Sequence, residues 1–269
     1  MTPEEARNHP LAREQAQRVS VCTLGWRDPL RWLAAGARDM RACPLLSLSY
    51  GALFTAVAWA LAMLLRHSPQ YALLLGSGVM LLGPALAMGL IQASRSCQAG
   101  QRPRLRPCLL CWLPMRSSVA LFAGLLLVLE LLWARSSLIV FALFADGMAP
   151  AQSPAELLTD PSNLSFVAWY AAVGAVFAAI AYACSVIAVP MLLDRPVDAV
   201  TAALTSVRAC LEHPWVLLMW GALLSALTLL ALLPAGLGLL LVGPLLGHAS
   251  WHAYRGIICP SGGGPAAPR

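Results

Sequence analysis

Leu241–Arg255 reads LVGPLLGHASWHAYR, an apolar run with a Gly-Pro step that ends in two histidines, two aromatics and an arginine. Polar chemistry gathers on a hydrophobic segment here as nowhere else in the chain. The run before it, from about Pro214 to Leu233, is apolar throughout, and Pro234-Ala235-Gly236 turns the chain between the two. Such a pair is a helical hairpin long enough to cross hydrocarbon about 30 Å thick at 1.5 Å per residue. The composition of the whole chain agrees. Of its 269 residues 59% are hydrophobic and only 11% charged, and the mean hydropathy is +0.71, outside the range of soluble domains. The solvent of this fold is a bilayer.

Outward from that hairpin, four further apolar runs fall near Leu45–Leu65, Tyr71–Ala93, Leu113–Ala145 and Phe166–Leu193. The expected fold is therefore an all-α integral membrane protein of six transmembrane helices. The third run is too long for one perpendicular helix and must tilt, kink or protrude. Residues 1–27 read as a cytoplasmic tail without the apolar core of a signal peptide, 28–256 as the membrane domain, and 257–269 as a flexible tail. Asp28-Pro29 and Pro196 each open an amphipathic helix. Leu30, Leu33, Ala37 and Met40 line one side of the first, Val197, Val200, Leu204, Val207 and Leu211 of the second, as for helices lying in the headgroup layer. Ser153-Pro154-Ala155-Glu156 resembles a capping box in the one sizeable loop on the other side.

All the basic residues are arginine, and their placement sets an orientation. With both termini in the cytoplasm, 16 of the 18 lie inside and only Arg66 and Arg135 outside. The basic pI near 9.1 is thus a topology signal and not a nucleic-acid footprint. Seven of the eight cysteines then fall at the cytoplasmic side and Cys184 within a span, so disulfides are not expected.

The two ends of the chain share landmarks. Arg41-Ala42-Cys43 and Arg208-Ala209-Cys210 each follow an amphipathic helix, Pro44 and Pro214 come next, and Gly51 and Gly221 follow seven residues later. Gly83-Pro84 stands before Arg95 as Gly243-Pro244 stands before Arg255. This predicts a parallel repeat of one amphipathic helix plus two spans, with halves at 28–95 and 195–255 around an intervening 96–194, and a pseudo-axis along the membrane normal.

The stretches Trp32–Asp39, Tyr50-Gly51, Val189–Ala199 and Gly243–Arg255 together resemble a bacterial inner-membrane family known as domain of unknown function 2189. The resemblance covers about residues 25–256. It implies a six-span protein of the inner membrane of a Gram-negative bacterium, and carries no activity, substrate or cofactor.

His248 and His252, four residues apart, share a helix face and could ligate haem or a metal. The matching positions of the first half are Met88 and Gln92. The plainer reading makes Trp251, His252, Tyr254 and Arg255 an interfacial belt and lets His248 bond a neighbouring helix. Cys108 and Cys111, with Cys97 nearby, form an incomplete thiolate set best read as reduced thiols. Glu130 is the only acidic residue inside a span; if the span ends near Arg135, it sits cheaply at the outer interface, and if the span centres on it, it is costly and suspect. Asp194, Arg195 and Asp198 read as a helix cap with a charged first turn, able to pair with Arg255 or Arg95. No cofactor is predicted, and the expected partners are the bilayer and other membrane proteins. With no catalytic constellation, the expectation is a non-enzymatic scaffold or accessory protein of membrane complexes. A transporter or channel for a neutral or lipid-like substrate, and a haem- or metal-binding respiratory component, are the alternatives.

Overall fold

The structure is a computed structural model that describes residues 20–67, 86–147 and 160–259. The Gly83-Pro84 step, most of the second expected span and the capping box at Ser153 lie outside the described residues. The described chain is helical: α1 (Asp28–Ala42), α2 (Pro44–His67), α3 (residues 86–98), α4 (Leu105–Leu109), α5 (Arg116–Phe144), α6 (Leu164–Ser185), α7 (Ala188–Asp194), α8 (Ala199–Glu212), α9 (Pro214–Leu232) and α10 (Leu239–Ile257). Short 3-10 turns precede and follow α5, and another leads into α6.

Among the described residues, four helical segments are long and apolar enough to cross a membrane: Pro44–Leu64, Leu105–Gly147, Pro161–Asp194 and Pro214–Leu232. α10, which carries Leu241–Arg255, is not one of them; its buried side includes His248, Trp251 and Tyr254, so its polar half packs within the protein. α10 lies against α1 and α2, α5 against α6, and α8 bridges α6, α7 and α9.

Backbone chemistry accounts for the boundaries. Cys43 and His213 interrupt their paths with nearly the same geometry, φ −135° and ψ 62° against φ −130° and ψ 59°, and Pro44 and Pro214 restart the chain at N1 of α2 and α9. The fourth expected span is two helices. Pro190 cannot donate to the Val186 carbonyl and its ring crowds it, so the helix breaks after Ser185, and the Ile187 N–H is taken by Ser206 Oγ at 3.1 Å. The second amphipathic helix starts at Ala199 rather than Pro196: Asp198 caps it, accepting from the N–H groups of Val200 and Thr201, each at 2.9 Å. Asp28 lies inside α1 and turns back to accept the Gly25 N–H at 2.7 Å.

Both amphipathic helices turn small residues inward, α1 with the large ring of Trp32 beside them. α1 buries Trp32, Ala35 and Gly36 while Leu30 is exposed, and α8 buries Ala199, Ala202, Ala203, Ser206 and Ala209 while Val200, Leu204 and Leu211 are exposed. This is the membrane order, in which large apolar side chains gain nothing by leaving lipid and small ones let helices approach. A Cβ on Gly36 would lie 2.7 Å from the Ala249 backbone nitrogen of α10. At the far end, Ala235 takes φ 52° in the α9–α10 turn, and Trp59 Nε1 of α2 donates to its carbonyl at 2.7 Å.

The expectation that the cysteines stay unpaired is corrected at one pair. Cys22 and Cys259 form a disulfide across 237 residues, brought together where residues 20–22 pair with the end of α10: Cys22 N–H donates to Ile257 O at 2.8 Å and Cys259 N–H to Ser20 O at 3.0 Å. Spacing could not reveal it, because each cysteine sits in a segment without periodicity.

Candidate functional site

His248 is fully buried where α1, α2, α3 and α10 converge. Glycines and alanines make that convergence possible: a Cβ on Gly247 would lie 2.5 Å from Leu90 of α3, and one on Gly256 2.6 Å from the Trp32 indole nitrogen of α1. His248 Nε2 lies 3.0 Å from Ser47 Oγ of α2, and Nδ1 lies 2.7 Å from Ser94 Oγ of α3. One turn on, His252 Nε2 lies 2.8 Å from Asp39 Oδ2 of α1.

The protons can be counted. Burial alone would push the Asp39 carboxyl up, but hydrogen bonds from His252 and Ser94 outweigh it and hold the pKa below the usual range. If Ser94 spends its one hydroxyl proton on Asp39, its oxygen accepts from His248 Nδ1–H. His248 Nε2 is then a bare acceptor for the Ser47 hydroxyl, which otherwise donates to the Cys43 carbonyl at 2.9 Å. Neutral imidazole satisfies every member. The chain Ser47–His248–Ser94–Asp39–His252 thus ties four helices through groups that hydrocarbon could not satisfy.

The belt reading is corrected for two residues. Trp251 and Tyr254 are buried, Trp251 Nε1 donating to Gln98 Oε1 at 2.9 Å and Tyr254 Oη to Asp194 Oδ2 at 2.9 Å. Arg255 is exposed and lies over the Trp251 ring, 5.9 Å from its centroid. Asp194 is no cap; its carboxylate faces Arg95 at 3.8 Å and Arg195 at 4.0 Å, and Arg95 also donates to the Leu193 carbonyl at 3.0 Å. Of the two pairings expected for the Asp194 cluster, Arg95 is the one formed. Met88 is buried in the main core, and Gln92 bonds Ser96 of its own helix at 3.5 Å.

The thiols come closer than their spacing suggested, and Cys43 joins them. Cys43 and Cys108 share one small core cluster with Cys97 packed against it. Burial first, then the neighbouring Cys43 and Asp39, push the Cys97 thiol up to about 12, so it stays protonated and is a poor metal donor. Among the described residues no three of His, Cys, Asp and Glu gather closely enough to hold a metal ion.

Glu130 stands apart from this network. α5 does not end near Arg135 but continues to Phe144, which puts Glu130 at the middle of the helix. It lines a crevice with Leu129, Trp133, Gly174, Phe177, Ala178 and Ala181 between α5 and α6. Sequence reasoning weighed Glu130 alone and missed Trp133, which lies on the same helical face three residues on.

One stretch, from within the second expected span to the end of α7, matches a known family. Residues 72–194 match the family described as predicted integral membrane protein (DUF2189). It is the family that the sequence motifs resemble, and the apolar helices agree with its description. The DUF2189 match takes in α3 to α7, hence Ser94, Glu130 and Asp194; Asp39, Ser47, His248 and His252 lie outside it. No curated protein and no solved structure matches the chain.

Proposed function

We propose that this integral membrane protein is a non-enzymatic scaffold or accessory partner of other membrane complexes. The observation that carries the reading is a contrast in packing. Around His248 four helices are fastened by a satisfied polar chain and by glycine-mediated contacts, whereas only 17% to 39% of the most apolar window of each spanning helix is buried within the chain. A fastened unit with wide apolar flanks suits assembly in the plane of the membrane. The alternative role of His248 as a haem ligand is disfavoured by the two serines that occupy both ring nitrogens. Purification in mild detergent followed by mass spectrometry should recover a stoichiometric membrane-protein partner. Recovery of a lipid-bound monomer alone would overturn the scaffold.

The same reading completes six spans with the 71–93 segment and α10, places both termini in the cytoplasm of a bacterial inner membrane, and derives the halves from a duplication. Support for the duplication is the matched Cys43 and His213 geometry, with Gly51 and Gly221 each seven residues beyond the proline that follows. Support for the orientation is the arginine asymmetry, which implies that the Cys22–Cys259 bond faces a reducing compartment and is exchangeable. In a background without the other cysteines, Ser162→Cys should react with an impermeant maleimide in intact cells. Cys22 and Cys259, after reduction, should react only in inverted vesicles; the opposite pattern would reverse the topology.

A further inference from the structure

Glu130, Trp133 and Ser137 follow one another at i, i+3 and i+7 and so share a face of α5. Glu130 is the fifteenth of 29 residues, roughly 21 Å from either end of the helix at 1.5 Å per residue. The face turns toward α6, where Gly174, Ala178 and Ala181 carry no atom beyond Cβ, and a crevice of about 240 Å³ opens between the helices beside the exposed Ala178. Phe177 lines it, and Tyr170 stands edge-on to the Trp133 ring with centroids 6.2 Å apart. Trp133 Nε1 and Ser137 Oγ are withdrawn from solvent and have no hydrogen-bond partner among the described residues.

Hydrocarbon offers these atoms nothing, and an unsatisfied indole N–H costs free energy that a leucine in its place would not. An ionisable residue at mid-span is by default functional. The chemistry narrows what would satisfy the face. Indole only donates. The serine hydroxyl can do either. The face therefore calls for an acceptor. At about 30 Å³ per water in the liquid the crevice is far too large for a bare ion, and it is too small for a whole lipid. Its aromatic walls and floor of glycine and alanine suit a flat ring that enters from the bilayer and leaves its tail there.

We propose that the α5–α6 crevice binds the head of a lipid-soluble quinone-type carbonyl compound, with Trp133 Nε1 donating to a carbonyl oxygen and Glu130 lining the same crevice. The site lies wholly within the DUF2189 match, apart from the His248 network, and it stands whether or not the scaffold reading does.

The test uses the full-length protein in phosphatidylcholine nanodiscs titrated with a decyl-substituted benzoquinone. Saturable one-site binding is expected, abolished in Ala178→Leu, which fills the crevice. Trp133→Phe keeps a ring, removes the donor, and should weaken binding about tenfold, the scale of one lost hydrogen bond. Unchanged affinity in both Ala178→Leu and Trp133→Phe would overturn the proposal. So would equal competition by decylbenzene, which has the tail without the carbonyls and would reveal an acyl groove. Displacement by tetraphenylphosphonium that is lost in Glu130→Gln would also overturn it, in favour of a cation site. If Ala178→Leu does not fold, the Trp133→Phe and decylbenzene arms decide.

Discussion

Gly51→Ala is expected to be among the most damaging single-methyl substitutions in the chain, at about 3 kcal/mol, the upper part of the range for overpacking. Pro244 sits inside α10 and has no N–H to give to the Leu240 carbonyl one turn earlier. That carbonyl faces Gly51 of α2, and a Cβ on Gly51 would overlap it. The obstacle is helical backbone, so no side-chain rotation relieves the clash, and the α2–α10 contact must open. Two other glycines calibrate the effect. A Cβ on Gly124 meets nothing within 4 Å, so Gly124→Ala should be neutral or gain about 0.5–1 kcal/mol from helix propensity. A Cβ on Gly221 would meet the Tyr182 ring at 3.2 Å, which must yield by a few tenths of an ångström, so Gly221→Ala should fall between. Thermal unfolding of the three purified variants reads the order directly. A Gly51→Ala protein that melts with wild type would show that the two backbones do not meet.

Gly51 also shows how far the sequence could be read. Prolines at the first turn of a helix, glycines at fixed offsets and runs of apolar residues are local signals, and they marked α1, α2, α9 and α10, the restarts at Pro44 and Pro214, and α8 to within three residues of its start. The direction of each helix face was harder. Leu30 and Leu204 form clean apolar stripes, yet in a bilayer such stripes point to lipid, and the inward faces are written in alanine, glycine and serine. Those residues carry little periodic contrast with their surroundings. The same difficulty hid the partners of His248. Ser47 and Ser94 are ordinary helix residues, 201 and 154 positions from the histidine, and nothing in their neighbourhoods singles them out. The Glu130 crevice was half legible, since Trp133 and Ser137 follow at helical spacing, but its other wall is a row of small residues on a helix that only the fold brings near.

His248→Ala is expected to cost about 3–5 kcal/mol, the sum of two lost hydrogen bonds and the cavity left by a buried ring. The loss should divide unequally between its neighbours. Ser47 can turn its proton back to the Cys43 carbonyl, 2.9 Å away, so the α2 side is repaired within its own helix. Ser94 keeps Asp39 as an acceptor, but its oxygen loses the imidazole donor in a place without water. Removing that hydroxyl as well should therefore add little: the double variant His248→Ala/Ser94→Ala should be nearly as stable as the single one, a coupling of about 1 kcal/mol or more in a double-mutant cycle. His252→Gln, by contrast, replaces a half-buried contact to Asp39 with another donor and should cost under about 1 kcal/mol. Unfolding of wild type, His248→Ala, Ser94→Ala and the double variant in mixed micelles measures the cycle, and an absorption spectrum taken on the same samples separates structure from ligation. A structural histidine leaves the visible spectrum of wild type and His248→Ala alike. A Soret band present in wild type and lost in His248→Ala would mean that iron, and not Ser47, holds the Nε2 lone pair.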